Sequence, residues 1–444
     1  MRLTRFPSRK LIATATATAI ALLCAGTAQA QSLQELYDAA RAYDATILAA
    51  RAQAQSAEFR AAQSEALKRP SARLEGSAST SALDLPRIGS GDSHSLGTIA
   101  RGSYPLINRA SDVSIAQARK SLETARADLE SAEQDLIVRV AQGYFDVLAA
   151  QDTLTTTQAS KKAITEQLAS AKRNFEVGTA TITDTREAQA RFDLATAQEI
   201  AAENDLRTKR IALDQLVGRP GVAPKPLAVP VVLPQVVPAN ADEWVTAADG
   251  THPSVMRARV GLELATLETS KARAADMPTL DAVASAGLTR TSGNLASTPG
   301  VSKSATVGLQ LVWPLYTGGA TQNRISETLM LEDKSRNDLE AARRGVAQAT
   351  RVAYFGVQSL RAQVAALEAA EASSKLALEA TQLGYRVGVR VNLDVLNSQT
   401  QLFTTQRDLA KARYDVMLGG LKLRQASGQL SPGDIDAVNR LLAK

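Results

Sequence analysis

The sequence is poor in the residues that build chemical centres. Its 444 residues include 1 Cys and 2 His. A disulfide framework and a multi-residue His/Cys zinc site are excluded by that count. Neither His94 nor His252 has a second ligand type at metal spacing. Aromatic residues are 4% of the chain while alanine is abundant, so close-packed helices are favoured over a thick conventional core. Proline is absent from 106 to 219 and again from 315 to 431. After residue 30 no stretch approaches ~20 unbroken apolar residues, so no membrane-spanning helix is expected. A membrane β-barrel would leave no such trace. No nucleophile–base pair, phosphate loop or catalytic carboxylate pair stands out. The expectation is therefore no enzyme, no metal and no cofactor.

Acids are absent from residues 1–30, where Arg2, Arg5, Arg9 and Lys10 sit. The chain carries 51 basic and 45 acidic residues, +6 in all, so the part beyond that stretch carries 47 against 45. A balance so near neutral gives no reason to infer a nucleic-acid partner. The basic start, the apolar run from Leu11 to Gly26 and the small-x-small Ala28-Gln29-Ala30 predict a signal peptide over 1–30, cleaved before Gln31. A membrane anchor is the alternative, but the apolar run is short and rich in threonine. Cys24 suggests bacterial lipidation only weakly, since Leu23 stands where that signal needs a small residue.

What is present is ordinary for a folded chain, 45% hydrophobic and 22% charged. Its order is not ordinary: one unit is written twice. Tyr144-Phe145 recurs as Tyr354-Phe355, and Asp128-Leu129-Glu130 as Asp338-Leu339-Glu340. Val177-Gly178 with Asp184 recurs as Val387-Gly388 with Asp394. Pro70 matches Pro278, and Tyr104-Pro105-Leu106 matches Trp313-Pro314-Leu315. A repeat this long is a duplication and not a solenoid.

Each unit reads as helix, two strands, very long helix, turn, helix. The first unit is expected over 31–218, with strands at about 70–81 and 95–107 and a long helix at about 110–174. The second is expected over 241–428, with strands at about 278–290 and 303–316 and a long helix at about 320–384. Six prolines mark a non-helical connector over 219–240, and 429–444 forms a C-terminal segment. Apolar residues at alternating spacings of three and four, as in Leu122, Ala125, Leu129, Ala132 and Leu136, predict coiled-coil seams. The strands alternate. In 305–313, Ala305, Val307, Leu309, Leu311 and Trp313 share one face, while Thr306, Gly308 and Gln310 share the other. Such runs suit a membrane-spanning strand, though a soluble hairpin subdomain reads the same way. Four strands cannot close a water-filled barrel, whereas three chains would supply twelve. Tyr104, Trp313 and Tyr316 stand at strand ends, where a membrane-interface girdle or ordinary packing would place them.

These features resemble the TolC family of outer-membrane channel-tunnels. The residues that carry the resemblance are the Val-Gly turns with their downstream aspartates, the stretch Tyr385-Arg-Val-Gly-Val-Arg-Val-Asn-Leu-Asp-Val-Leu-Asn397, and the tail segments Ala410-Lys-Ala-Arg-Tyr-Asp and Ala426-Ser-Gly-Gln-Leu. The resemblance implies a mainly α fold with a membrane β-barrel part. It implies a homotrimer, with a twelve-stranded β-barrel in outer-membrane lipid and a long α-helical barrel across the periplasm. Its partners would be a periplasmic adaptor and an inner-membrane transporter of ABC or RND type, serving efflux or type I secretion. A periplasmic coiled-coil adaptor or structural protein of such an assembly is the competing reading.

The same resemblance implies a gate at the turns. Asp394 and Asn397 would line the pore constriction; they lie at i and i+3 and share a helix face. The family's second acid is here Asn397, which implies weaker cation preference. Tyr385 and Arg390 would latch to Thr183 and Asp184. Val177, Gly178, Val387 and Gly388 would dock the adaptor. From spacing alone, Asp184 with Glu187 also reads as a capping box, and Asp394 as an N-cap.

Overall fold

The structure, a computed structural model, describes residues 30–85, 89–228, 230–294 and 299–443. Residues 1–29 of the expected signal peptide lie outside the described residues.

The chain is built on two long helices. Helices α1 (Leu33–Tyr43) and α2 (Ala45–Glu65) lead into strands β1 (Ser71–Leu85) and β2 (Gly89–Ile107). Then come α3 (Arg109–Glu176) and α4 (Ile182–Val217). After the connector the order repeats: α5 (Ala241–Thr251), α6 (Pro253–Ala274), β3 (Thr279–Ser292), β4 (Gly300–Val312), α7 (Ala320–Arg386) and α8 (Asn392–Ala426). Helix α9 (Pro432–Asn439) follows. No described helix is long and apolar enough to cross a membrane.

Local chemistry sets the ends. Ser32 caps α1 in a reciprocal box with Glu35. Asp44 breaks α1 from α2 and accepts from the Ile47 amide at 3.0 Å. Arg139 of α3 holds the same carboxylate at 2.9 Å, and that hydrogen bond keeps the Asp44 carboxyl below its ordinary pKa. Helix α3 has 68 residues, about 100 Å at 1.5 Å per residue. Helices α2, α4, α6 and α8 all pack along it, so the two units share one rod. Small residues at the contacts, such as Ala141, Ala171, Ala188 and Ala195, let the helices approach closely.

The strands form one antiparallel sheet in the order β1-β2-β3-β4, with β2 joining the two units. The register sets Ala100 opposite Leu74 and Ala286, and Val307 opposite Ala284. Ala72, Leu74, Ala78, Leu96, Ala282, Ala284, Ala286, Val307, Leu309 and Leu311 therefore fall on one face. Arg73, Glu75, Arg101, Asp281, Ser285, Thr306 and Gln310 fall on the other. Both faces are largely exposed; Leu74, Val307 and Leu309 are 74%, 87% and 68% accessible. Strand β1 continues past the expected end at about 81 to Leu85, and β2 begins at Gly89 rather than at about 95, because Gly- and Ser-rich main chains pair as well as any. Strand β4 stops before Pro314, which has no amide hydrogen to donate.

A belt crosses the rod at mid-height. Gln31 bridges to Pro224 and Leu227 to Leu442, tying the start, the connector and the tail together. Tyr144 donates to the Lys225 carbonyl at 2.8 Å, and Tyr354 to the Ala239 carbonyl at 2.5 Å. The repeated Tyr-Phe pair thus does more than pack helices. In each unit its hydroxyl holds the connector onto the rod.

Nearby, Tyr414 of α8 donates to the Asp152 carboxylate of α3 at 2.6 Å. Burial raises the Asp152 carboxyl pKa, and the tyrosine's hydrogen bond offsets part of that shift. A folded-state pKa above the unfolded value means that the carboxylate's charge costs stability. This contribution is favourable below the unfolded pKa, about 3.9, and is lost as pH rises through the folded value. Asp152→Asn is therefore expected to raise the thermal midpoint at pH 7, and to raise it less as the pH falls towards 4. A midpoint change independent of pH would refute the assignment.

Candidate functional site

The two turns at the far end of the rod are built alike. After Glu176, Val177 closes α3 and Gly178 takes φ 77°; after Arg386, Val387 closes α7 and Gly388 takes φ 80°. The Thr179 amide donates to the Asn174 carbonyl at 2.8 Å, and the Val389 amide to the Gly384 carbonyl at 2.9 Å. Gly178 and Gly388 donate to the Phe175 and Tyr385 carbonyls in the same pattern. This is the Schellman closure, whose left-handed residue favours glycine. It leaves Val177 and Val387 exposed at the tips, together with Val389 and Val391.

Beyond the glycines the copies diverge. In the first turn Thr181 caps α4. The Thr181 amide donates to the Asp184 carboxylate at 2.9 Å, and the Asp184 amide donates to the Thr181 hydroxyl at 3.2 Å. The capping box is therefore Thr181 with Asp184, not Asp184 with Glu187, because the helix begins three residues earlier than the spacing suggests. In the second turn the equivalent cap position is Val391, which has no side chain to accept. Asp394 is thus the third residue of α8 and not its N-cap. Its carboxylate is left to pair with Arg390 at 3.6 Å.

The expected latch does not form within one chain. Asp184 is engaged in its own helix cap, and Arg390 turns back to Asp394, so the two are not brought together. Thr183 is exposed and makes no side-chain hydrogen bond among the described residues. Tyr385 does reach the first turn, but as an acceptor, from the Asn174 amide group at 3.1 Å.

Other residues join the turns. Leu396 is 1% exposed, and its cluster holds Ile164, Leu168 and Ala171 of α3 with Ala188 and Ala195 of α4. On either side of it, Gln167 donates to the buried Asn392 side chain, and Arg191 donates to the Asn397 side-chain oxygen Oδ1 at 3.0 Å. The start of α8 is thus seated in the α3–α4 hairpin. Asn397 contributes its side-chain oxygen to this seat; nothing in the structure explains why an amide stands where the resemblance implies an acid. Gln167, Arg191, Asn392 and Leu396 escaped the sequence reading. A signal was available: at the matching positions 210 residues earlier, Leu396 is Arg186 and Asn392 is Ile182. Duplicated residues that differ mark contacts made by one copy only.

At the other end, Tyr104, Trp313 and Tyr316 are all exposed where the sheet meets the helices.

The sequence profile described as "Outer membrane efflux protein" matches residues 36–219 and 244–429. The chain is 33% identical over 414 residues to the outer membrane protein TolC of Vibrio cholerae, covering 92% of this chain and 93% of that one. It is 34% identical over 326 residues to the alkaline protease secretion protein AprF of Pseudomonas aeruginosa, covering 73% and 67%. Its fold is similar to that of the outer membrane protein VceC from Vibrio cholerae, with a TM-score of 0.73 at 19% identity, covering 89% and 96%.

Proposed function

The chain belongs to the outer membrane efflux protein family, and from that premise we propose how it assembles and gates. It is an outer-membrane channel-tunnel serving efflux or secretion, and it is not an enzyme. It acts with the other components of a tripartite system.

The observation that carries the assembly is the sheet, with one apolar face, one polar face and two open edges. Three copies pairing β1 of one with β4 of the next give a closed barrel of twelve strands with no edge. The apolar faces then meet lipid, and Tyr104, Trp313 and Tyr316 form a girdle at the inner interface. The units 31–218 and 241–428 build the wall, and the connector 219–240 with 429–444 forms its belt. The rod supplies a helical barrel across the periplasm. A periplasmic adaptor docks on the exposed tips at Val177, Gly178, Val387 and Gly388, and an ABC or RND transporter in the inner membrane delivers the cargo.

In the trimer three copies of Asp394 ring the constriction, each tempered by its own Arg390, with Asn397 beside them. An anionic ring favours cations, and partial neutralisation weakens that preference. Single-channel recording in a planar bilayer tests this. The native protein is expected to give long-lived, mildly cation-preferring openings, and Asp394→Ala is expected to lose most of the preference. Unchanged selectivity would leave Asp394 no role in the ring. No conductance from a well-folded protein would favour the adaptor reading instead.

A further inference from the structure

The apolar face of the sheet has a charged margin. Along that face the side chains from Ala72 to Ala78, Leu96 to Leu106, Leu280 to Leu288 and Ala305 to Leu311 are uncharged. At the end away from the helices the face carries Lys303, level with Leu288, and Arg290, one step beyond it. The register pairs Leu288 with Lys303 and Arg290 with Val301, so the two cations are diagonal neighbours across β3 and β4. Diagonal residues on one face lie about 7–8 Å apart, within reach of one divalent anionic group for side chains this long. Both are exposed. Of the two acids further along this face, Asp92 is held by His94 at 2.8 Å, and Asp84 lies six residues beyond Ala78, the β1 residue that the register sets in line with Leu96 and Arg290.

Position along the strand says what the pair meets. Trp313, just beyond β4, and Lys303 are ten residues apart on the same face. At about 3.4 Å per residue and a tilt of about 40°, that separation spans roughly 26 Å of height. An outward apolar band is about 25 Å tall. With the aromatic girdle at one interface, Arg290 and Lys303 fall at the other, at headgroup level. Cations there meet lipid phosphates, which attract Arg and Lys through charge-assisted hydrogen bonds.

We propose that Arg290 and Lys303 form a binding site for a phosphate-bearing lipid of the leaflet facing away from the helical rod. The acyl chains lie on the Leu288, Leu96 and Val307 surface, and the phosphate bridges the two cations. The site rests on the barrel reading above, because it needs this face to meet lipid.

The test uses the full chain in detergent. Retention of added bisphosphorylated lipid A is measured by native mass spectrometry and by the shift in thermal midpoint. The native chain is expected to retain it. R290Q/K303Q is expected to bind at least tenfold more weakly, R290K/K303R to restore binding, and dephosphorylated lipid A to bind the native chain no better than the variant. Equal retention by native chain and R290Q/K303Q, or equal retention of both lipids, would overturn the proposal. So would competition by millimolar inorganic phosphate, which would assign a soluble-anion site. Planar-bilayer insertion of the native chain is measured alongside. A chain that inserts but does not discriminate the lipids fails this inference alone, while one that never inserts fails the barrel.

Discussion

Val307→Arg is expected to abolish assembly into the outer membrane, while Thr306→Arg leaves assembly intact and alters conductance. The two residues are adjacent in β4 and project from opposite faces. Val307 is 87% accessible in the single chain and lies between the aromatic end and the basic end of the apolar face. An arginine on the lipid face near the bilayer midplane costs about 2–4 kcal/mol per strand position. Three copies make that roughly 6–12 kcal/mol per trimer, comparable to the whole stability of a typical domain. On the polar face Thr306 lies among Arg73, Arg101, Asp281 and Gln310, where water or an acid receives a new cation. Fractionation, mobility without boiling and single-channel recording read the outcome. If Val307→Arg reached the outer membrane as efficiently as Thr306→Arg, the lipid-facing assignment would fail. A soluble hairpin subdomain would tolerate both changes alike, so the pair separates the readings that alternation in sequence leaves open.

The duplication made most of the fold legible. Proline-free runs located α3 and α7, and period-2 alternation located the strands, because both are local consequences of backbone geometry. The strand ends were less legible. Gly-rich segments pair by main chain alone, and no side-chain pattern reports that. The turns were legible in place but not in wiring. Gly178 and Gly388 announced the turns, since a left-handed closure favours glycine. The partners of Asp184 and Arg390 did not follow. Whether a carboxylate caps its own helix or is left for a nearby arginine depends on the residue three positions earlier, Thr181 in one copy and Val391 in the other. The Leu396 seat is invisible to any single-segment reading, because its contacts come from 201 to 232 residues away in the chain, from Ala195 to Ile164.

Leu396→Ala is expected to produce the largest functional change of any single substitution at the turns. The seat joins α8 to α3 and α4 through one fully buried leucine and a few polar contacts. Arg191 with Asn397 is exposed, and such a contact contributes about 1 kcal/mol or less. Truncating a buried leucine to alanine costs about 2–5 kcal/mol, depending on how far the site collapses. On the gating proposed above, opening parts the helices at this end, and a seat made only in the closed state then biases the equilibrium towards closure. Losing about 2–5 kcal/mol from that state shifts the ratio of open to closed by roughly 30- to 5000-fold. Asn397→Ala is expected to shift it by no more than about fivefold, from about 1 kcal/mol. Open probability in planar bilayers measures both. Leu396→Met, which keeps most of the volume, is expected to stay close to native behaviour. The readout separates gating from simple loss of folding, since a misfolded chain inserts less often, whereas an unlatched one inserts normally and stays open longer. Normal insertion with native open probability in Leu396→Ala would show that the seat persists in the open state and does not gate.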